Sequence, residues 1–218
     1  MECVATVTDH VDVDLATAFR FAQDLSVDFP VVTDFQGGTA PGLPFTFTVG
    51  AGTGIGLRDE TGCLTLALRQ DRMTLTWARV SENNSYPRFP EMKRLMLAGL
   101  KSAGLVPRTL VMSYINHVPS EQGDLLELIN KELIPQACAN AAAFHDINLS
   151  FRIRESTDFR WQFGRTDQGF LLSTTAGIAT VDSAPEGLDE IHEALIEQFG
   201  KHTTQKAKEV WQLEHSSH

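Results

Sequence analysis

Two stretches far apart in this chain follow the same pattern. Val4-Ala5-Thr6-Val7-Thr8-Asp9-His10-Val11 aligns without gaps on Val111-Met112-Ser113-Tyr114-Ile115-Asn116-His117-Val118. Each is a strand-like run that ends in Asp/Asn-His-Val and leads into a helical pattern. Each half also carries a hairpin signal with Arg-x-Asp at its turn, Arg69-Gln70-Asp71 and Arg165-Thr166-Asp167. A repeat of this length predicts two copies of one α+β unit sharing a sheet. It constrains architecture and leaves the chemistry open.

The periodicities fill in each copy. A strand near 3–9 precedes a helix from Val13 to Leu25, where Leu15, Phe19, Ala22 and Leu25 recur at helical spacing and Asp12 or Asp14 is placed to cap. Pro30, Gly37-Gly38, Pro41 and Gly42 mark Val27–Pro44 as a loop. Period-two runs then predict three strands, at Phe45–Val49, Leu64–Arg69 and Met73–Trp77, the last two joined as a hairpin. A helix from Phe89 to Ala103 follows, with Gly104 at its C-terminal stop and Pro107 just beyond.

The second copy reads as a strand at 109–118, a helix from Asp124 to Ile134, and three more strands. Of these, Ile147-Asn148-Leu149-Ser150-Phe151-Arg152-Ile153-Arg154 shows the cleanest alternation, followed by Phe159–Phe163 and 169–180. A long helix from Leu188 to Leu213 closes the chain. The expected fold class is α+β: pseudo-duplicated β-α-β-β-β-α units, with helices packed on one face of an antiparallel sheet. Residues 1–106 and 107–213 would be the halves of one domain, and 214–218 a frayed tail. This layout resembles the TATA-box-binding-protein saddle and the gyrase-inhibitor-like domains, in which the uncovered sheet face is the binding face; fold alone does not decide function.

With 218 residues, 42% hydrophobic and 21% charged, the chain has the composition of a soluble globular protein. Its net charge of −10 and lack of a basic stretch argue against nucleic-acid binding, which needs a dense Lys/Arg footprint. Cys3, Cys63 and Cys138 are odd in number and lack CxxC spacing, so they read as reduced thiols of a cytoplasmic protein. No signal peptide or membrane span is predicted.

Several marks resemble a sporadically distributed bacterial family of uncharacterised proteins. They are Asp71-Arg72-Met73-Thr74-Leu75-Thr76-Trp77, Tyr86-Pro87-Arg88-Phe89, Tyr114-Ile115-Asn116-His117-Val118, and a C-terminal helix with His192, Phe199, Thr203-Thr204 and Ala207. Many members carry Asn-Trp-Arg where this chain has Thr76-Trp77-Ala78, and Arg where it has Ser113. The resemblance implies the order of elements and an accessory role, such as phage defence or regulation, rather than an established activity.

The chemistry-bearing candidates are few. Gly50-Ala51-Gly52-Thr53-Gly54-Ile55-Gly56 looks like a phosphate loop, but a turn-rich stretch follows instead of a helix, so it reads as an inter-strand loop. His10 and His117 lack the converging ligands of a metal site, as do His145 and His192, and no metal or cofactor is expected. His10 and His117 read as matched strand-end hinges. The more informative cluster is Arg152, Arg154, Arg160 and Gln162, which strand geometry projects from neighbouring strands about 4.8 Å apart.

Two function classes follow. The first is a non-enzymatic binding or assembly module, in which those four residues hold a small anionic ligand or a protein partner. Self-association as a homodimer is the companion expectation if Phe45/Phe47 or the Trp77 strand lies at a sheet edge. The alternative is an enzyme with Tyr114, Asn116 and His117 at the junction of the halves, His117 acting as acid/base.

Overall fold

The computed structural model describes residues 1–7, 13–36, 54–78, 88–119, 146–154, 157–166 and 169–202. In chain order the elements are β1 (Glu2–Thr6), α1 (Leu15–Asp24), β2 (Val31–Gln36), β3 (Gly54–Arg58), β4 (Leu64–Arg69), β5 (Arg72–Trp77), α2 (Phe89–Ala103), β6 (Thr109–Pro119), β7 (Asp146–Arg152), β8 (Thr157–Thr166), β9 (Gly169–Ile178) and α3 (Ala184–His202). The class is α+β with antiparallel strand pairing. Among the described residues, no helix is long and apolar enough to cross a membrane.

The chain divides into two compact units. One comprises Met1–Met112 with Gly177–Ile191, the other Ser113–Ala176 with the chain from His192 onward.

In the first unit the strands run in the order β2-β3-β4-β5-β1-β6. Alternation sorts their side chains. Cys3 and Ala5 of β1, Leu66 and Leu68 of β4, and Met73, Leu75 and Trp77 of β5 are buried, while Val4, Thr6, Thr65, Thr74 and Thr76 on the opposite face are half-buried. Helix α2 lies on the buried face. A Cβ at Gly99 would come within 2.7 Å of Met73 Sδ and 3.1 Å of Leu66 Cδ2, so glycine permits this close approach of helix to sheet. Phe21, Phe29, Met92, Leu95 and Met96 fill the space between helices and strands.

Local chemistry starts α1 and stops α2. Asp14 caps α1, its carboxylate accepting from the Thr17 amide at 2.7 Å. At the end of α2, Gly104 adopts φ 65°, in the left-handed region that ends a helix without a Cβ clash. Its neighbour Leu105 donates back to the Leu100 carbonyl at 2.8 Å. Lys93 Nζ meets Asp189 at 2.6 Å, tying α2 to the first turns of α3.

In the second unit the order is β6-β9-β8-β7. Thr157, Phe159 and Trp161 of β8, Thr174 and Ala176 of β9, and Ala194, Leu195 and Gln198 of α3 are buried.

The expected Phe89–Ala103 helix occurs as read, and the hairpin of β4 and β5 is present. Three differences have physical causes. The predicted loop at 27–44 contains β2, an edge strand whose Val31 and Val32 are exposed, so it has no burial alternation to read. The glycine-rich run is strand from Gly54 onward, where it is hydrogen-bonded between β2 and β4, and Gly54 lies against the Arg69 side chain. Helix α3 begins at Ala184 rather than Leu188, with Pro185 and Glu186 in a first turn that favours both. The strand at Phe45–Val49, the helix at Asp124–Ile134 and residues 203–213 lie outside the described residues.

Candidate functional site

The β7–β8 hairpin is amphipathic by alternation alone. Register pairs Ile147 with Phe163, Leu149 with Trp161 and Phe151 with Phe159, and the β8 members Trp161 and Phe159 are buried. The intervening pairs are Asn148 with Gln162, Ser150 with Arg160 and Arg152 with Asp158. Directly opposed residues of an antiparallel pair share a face, so these six polar positions line one side of the hairpin. Gln162 is half-buried and the other five are exposed.

The four residues singled out in the sequence therefore separate. Arg152, Arg160 and Gln162 share the polar face. Arg154 lies beyond the end of β7, in the turn where the Ile153 amide donates to the Thr157 carbonyl at 2.9 Å. Its charge reaches α3 instead. The Glu197 carboxyl is held below the usual range chiefly by its hydrogen bond from Lys201, with a smaller contribution from Arg154.

The two arginines on the polar face differ in partnership. Arg152 Nε donates to Asp158 Oδ1 at 3.2 Å, with the two side chains 70% and 63% exposed. An ion pair so solvated contributes little to stability. Among the described residues, Arg160 has no carboxylate at ion-pair distance. Around it stand the hydroxyl of Ser150 and the amides of Asn148 and Gln162, all able to donate to an oxyanion.

Tyr114 takes a different position. It is half-buried on β6, and its hydroxyl lies 3.2 Å from Nδ1 of His192 on α3. The two rings are tilted with centroids 6.5 Å apart. A tyrosine hydroxyl turned toward an interior needs such a partner. Asn116 and His117 belong to β6, but their side chains lie outside the described residues, as does His10. On the same strand Ser113 Oγ is 2.9 Å from Thr175 Oγ1 of β9.

The expectation of an exposed Trp77 edge is corrected. Strand β5 is hydrogen-bonded on both sides, to β4 and to β1, and Trp77 is buried. Among the described residues the edge strands are β2 and β7. Phe45 and Phe47 lie outside them. Cys3 and Cys63 are free and buried, and burial pushes the Cys3 thiol up to about 12, leaving it protonated and unreactive at neutral pH. Cys138 is also outside the described residues.

No protein-family model and no curated protein matches the chain. Among solved structures it is similar to the di-domain ARO/CYC StfQ from the steffimycin biosynthetic pathway, at 10% identity over 100% of both chains with a TM-score of 0.22. The functional reading therefore comes from this chain's own side chains.

Proposed function

We propose that the chain is a non-enzymatic binding module that takes a small anionic ligand on the polar face of the β7–β8 hairpin. The observation that carries this is Arg160. It is exposed, opposite Ser150, flanked by amide side chains, and among the described residues not engaged by a carboxylate. A guanidinium presents its donors in a planar fork matched to carboxylate and phosphoryl oxygens. Asp158, an acidic group on this face, is occupied by Arg152. The module reading goes with an internal duplication. In each half the strands follow one order, β3-β4-β5-β1 in the first and β7-β8-β9-β6 in the second, as expected of two copies of one unit.

The test is a thermal-shift screen of the full chain with nucleotides, phosphosugars and dicarboxylates. A ligand at one hundred times its dissociation constant stabilises the folded state by about 2.7 kcal/mol, which is readily seen as a rise in Tm. Stabilisation of the wild type that is lost in Arg160→Gln supports the reading. Equal stabilisation of both, or of neither by any anion, refutes it.

A further inference from the structure

We propose that a cleft between α1 and α2 in the first unit binds a small molecule carrying two carboxylates and one ammonium group, the chemistry of an acidic amino acid. This site is independent of the β7–β8 surface. Its walls are held by polar ties between the two helical segments. Arg94 of α2 donates to Asp28, just past α1, at 2.8 and 3.0 Å. Further along α2, the Ser102 hydroxyl donates to Asp24 Oδ2 at 2.8 Å. The partners recede along one segment as they advance along the other, so the helices run antiparallel. Between them lies a cleft of ≈ 520 Å³, within the range of about 300–1,000 Å³ that small-ligand sites occupy.

Helical periodicity aims the charges into this space. Arg20 and Asp24 are spaced i, i+4 and share a face of α1, while Ala98, Lys101 and Ser102 are spaced i, i+3, i+4 and share a face of α2. These side chains line the cleft, and Leu25 joins Ala98 as the apolar part of the lining. At Gly104, past the end of α2, a Cβ would meet nothing within 4 Å, so the cleft is unobstructed there. Arg20 and Lys101 are both exposed, and among the described residues neither has a carboxylate at ion-pair distance. The claim of Asp14 on Arg20 is slight: that carboxyl is held below its usual range chiefly by hydrogen bonding from Thr17, with a smaller contribution from Arg20. Asp24 is placed to pair with Arg20 along the helix, yet its Oδ2 is turned to Ser102, and Oδ1 is left to accept from a ligand.

The charge pattern selects the ligand class. Two cations and one anion leave the cleft with a single positive charge. An acidic amino acid is its complement, with carboxylates for Arg20 and Lys101, an ammonium for Asp24, and a methylene stem for Leu25 and Ala98. A phosphate monoester would set its second charge against Asp24. A dicarboxylate without the ammonium would leave Asp24 facing like charge.

The experiment is isothermal titration calorimetry of the full chain with L-aspartate and L-glutamate, and with succinate and glutarate, which lack the ammonium. It is run on wild type, Arg20→Gln/Lys101→Gln, Asp24→Asn and Arg152→Gln/Arg160→Gln. We expect the wild type to bind at least one of the amino acids at least about tenfold tighter than its matching diacid, since tenfold corresponds to a single modest charge-assisted contact. Arg20→Gln/Lys101→Gln should weaken that binding by the same factor or more. Asp24→Asn should abolish the preference over the diacid, and Arg152→Gln/Arg160→Gln should change neither. Arg20, Asp24 and Lys101 are exposed, so these substitutions keep the fold, and unchanged circular dichroism spectra confirm it. Absence of amino-acid binding by the wild type overturns the proposal. So does a preference for the diacids, a preference that survives Asp24→Asn, or binding that survives Arg20→Gln/Lys101→Gln. Binding lost only in Arg152→Gln/Arg160→Gln also overturns it and leaves the β7–β8 reading standing.

Discussion

Gly104 holds φ 65° with nothing within 4 Å of where a Cβ would sit. Replacing it tests backbone strain without steric confusion. Gly104→Ala should lower stability by about 1 kcal/mol, the usual cost of an L-residue in the left-handed region. Urea unfolding at unchanged m-value reports it, and an unchanged midpoint would contradict the assignment. Asp28 makes a second single-residue case. Its two oxygens accept from Arg94 Nη1 and Nη2 at 3.0 and 2.8 Å. That hydrogen bonding, more than the bare charge of Arg94, holds the Asp28 carboxyl below the ordinary range. A depressed folded-state pKa means the unfolded chain binds the proton more readily. The stabilisation is therefore complete above the ordinary carboxylate range and lost as pH falls through the depressed value. With Arg94 more than half exposed, its size is below about 1 kcal/mol. Asp28→Asn should flatten that part of the acid limb, and identical acid profiles for wild type and variant would show that the pair contributes nothing.

At the level of elements, helices were legible where the core imposed a long period and a stop signal followed. Helix α2 has both: Met92, Leu95, Met96 and Leu100 on one face, then Gly104. Strands β2 and β3 were not legible, for opposite reasons. Strand β2 is an edge whose exposed valines carry no inside–outside contrast. Strand β3 is buried on both faces as far as Leu57, and glycine supplies one of those faces. Gly54 and Gly56 alternate with Ile55 and Leu57, and that period was the readable signal beneath the glycine content. The site was legible to the same extent. Alternation placed Arg152, Arg160 and Gln162 on one face. It failed for Arg154, because the strand ends before it. Gly99 tests helix-on-sheet packing in the first unit. Gly99→Leu should cost about 1–3 kcal/mol by overpacking against Met73 and Leu66. Met73→Ala should recover part of that cost in the double variant. Additive losses in a double-mutant cycle would place the clash elsewhere.

The whole molecule departs from what the repeat suggests about independence. The duplication expected from the sequence invites the view that each half folds alone, yet the first compact unit includes Gly177–Ile191 from the far end of the chain. That segment is built into its core. Leu188 and Ile191 are fully buried. A Cβ at Gly187 would come within 2.9 Å of Leu110 Cδ1, and the Val181 amide donates to the Arg108 carbonyl at 3.0 Å. Asp189 supplies the carboxylate for Lys93, whose side chain is only 23% exposed. A fragment of residues 1–112 would keep the expected first copy and lose all of these. Each fully buried Leu or Ile side chain contributes about 1.5–3 kcal/mol, and a domain's net stability is only about 5–15 kcal/mol. Losing two such side chains and uncovering Leu110 is enough to bring the fragment close to unfolding. The 1–112 fragment should therefore show a broad urea transition at a lower midpoint than the full chain, with dye-binding apolar surface exposed. Adding a peptide of residues 177–191 in trans should sharpen that transition and raise its midpoint. A fragment that unfolds as cooperatively as the full chain, with no response to the peptide, would mean that the repeat boundary is also the folding boundary.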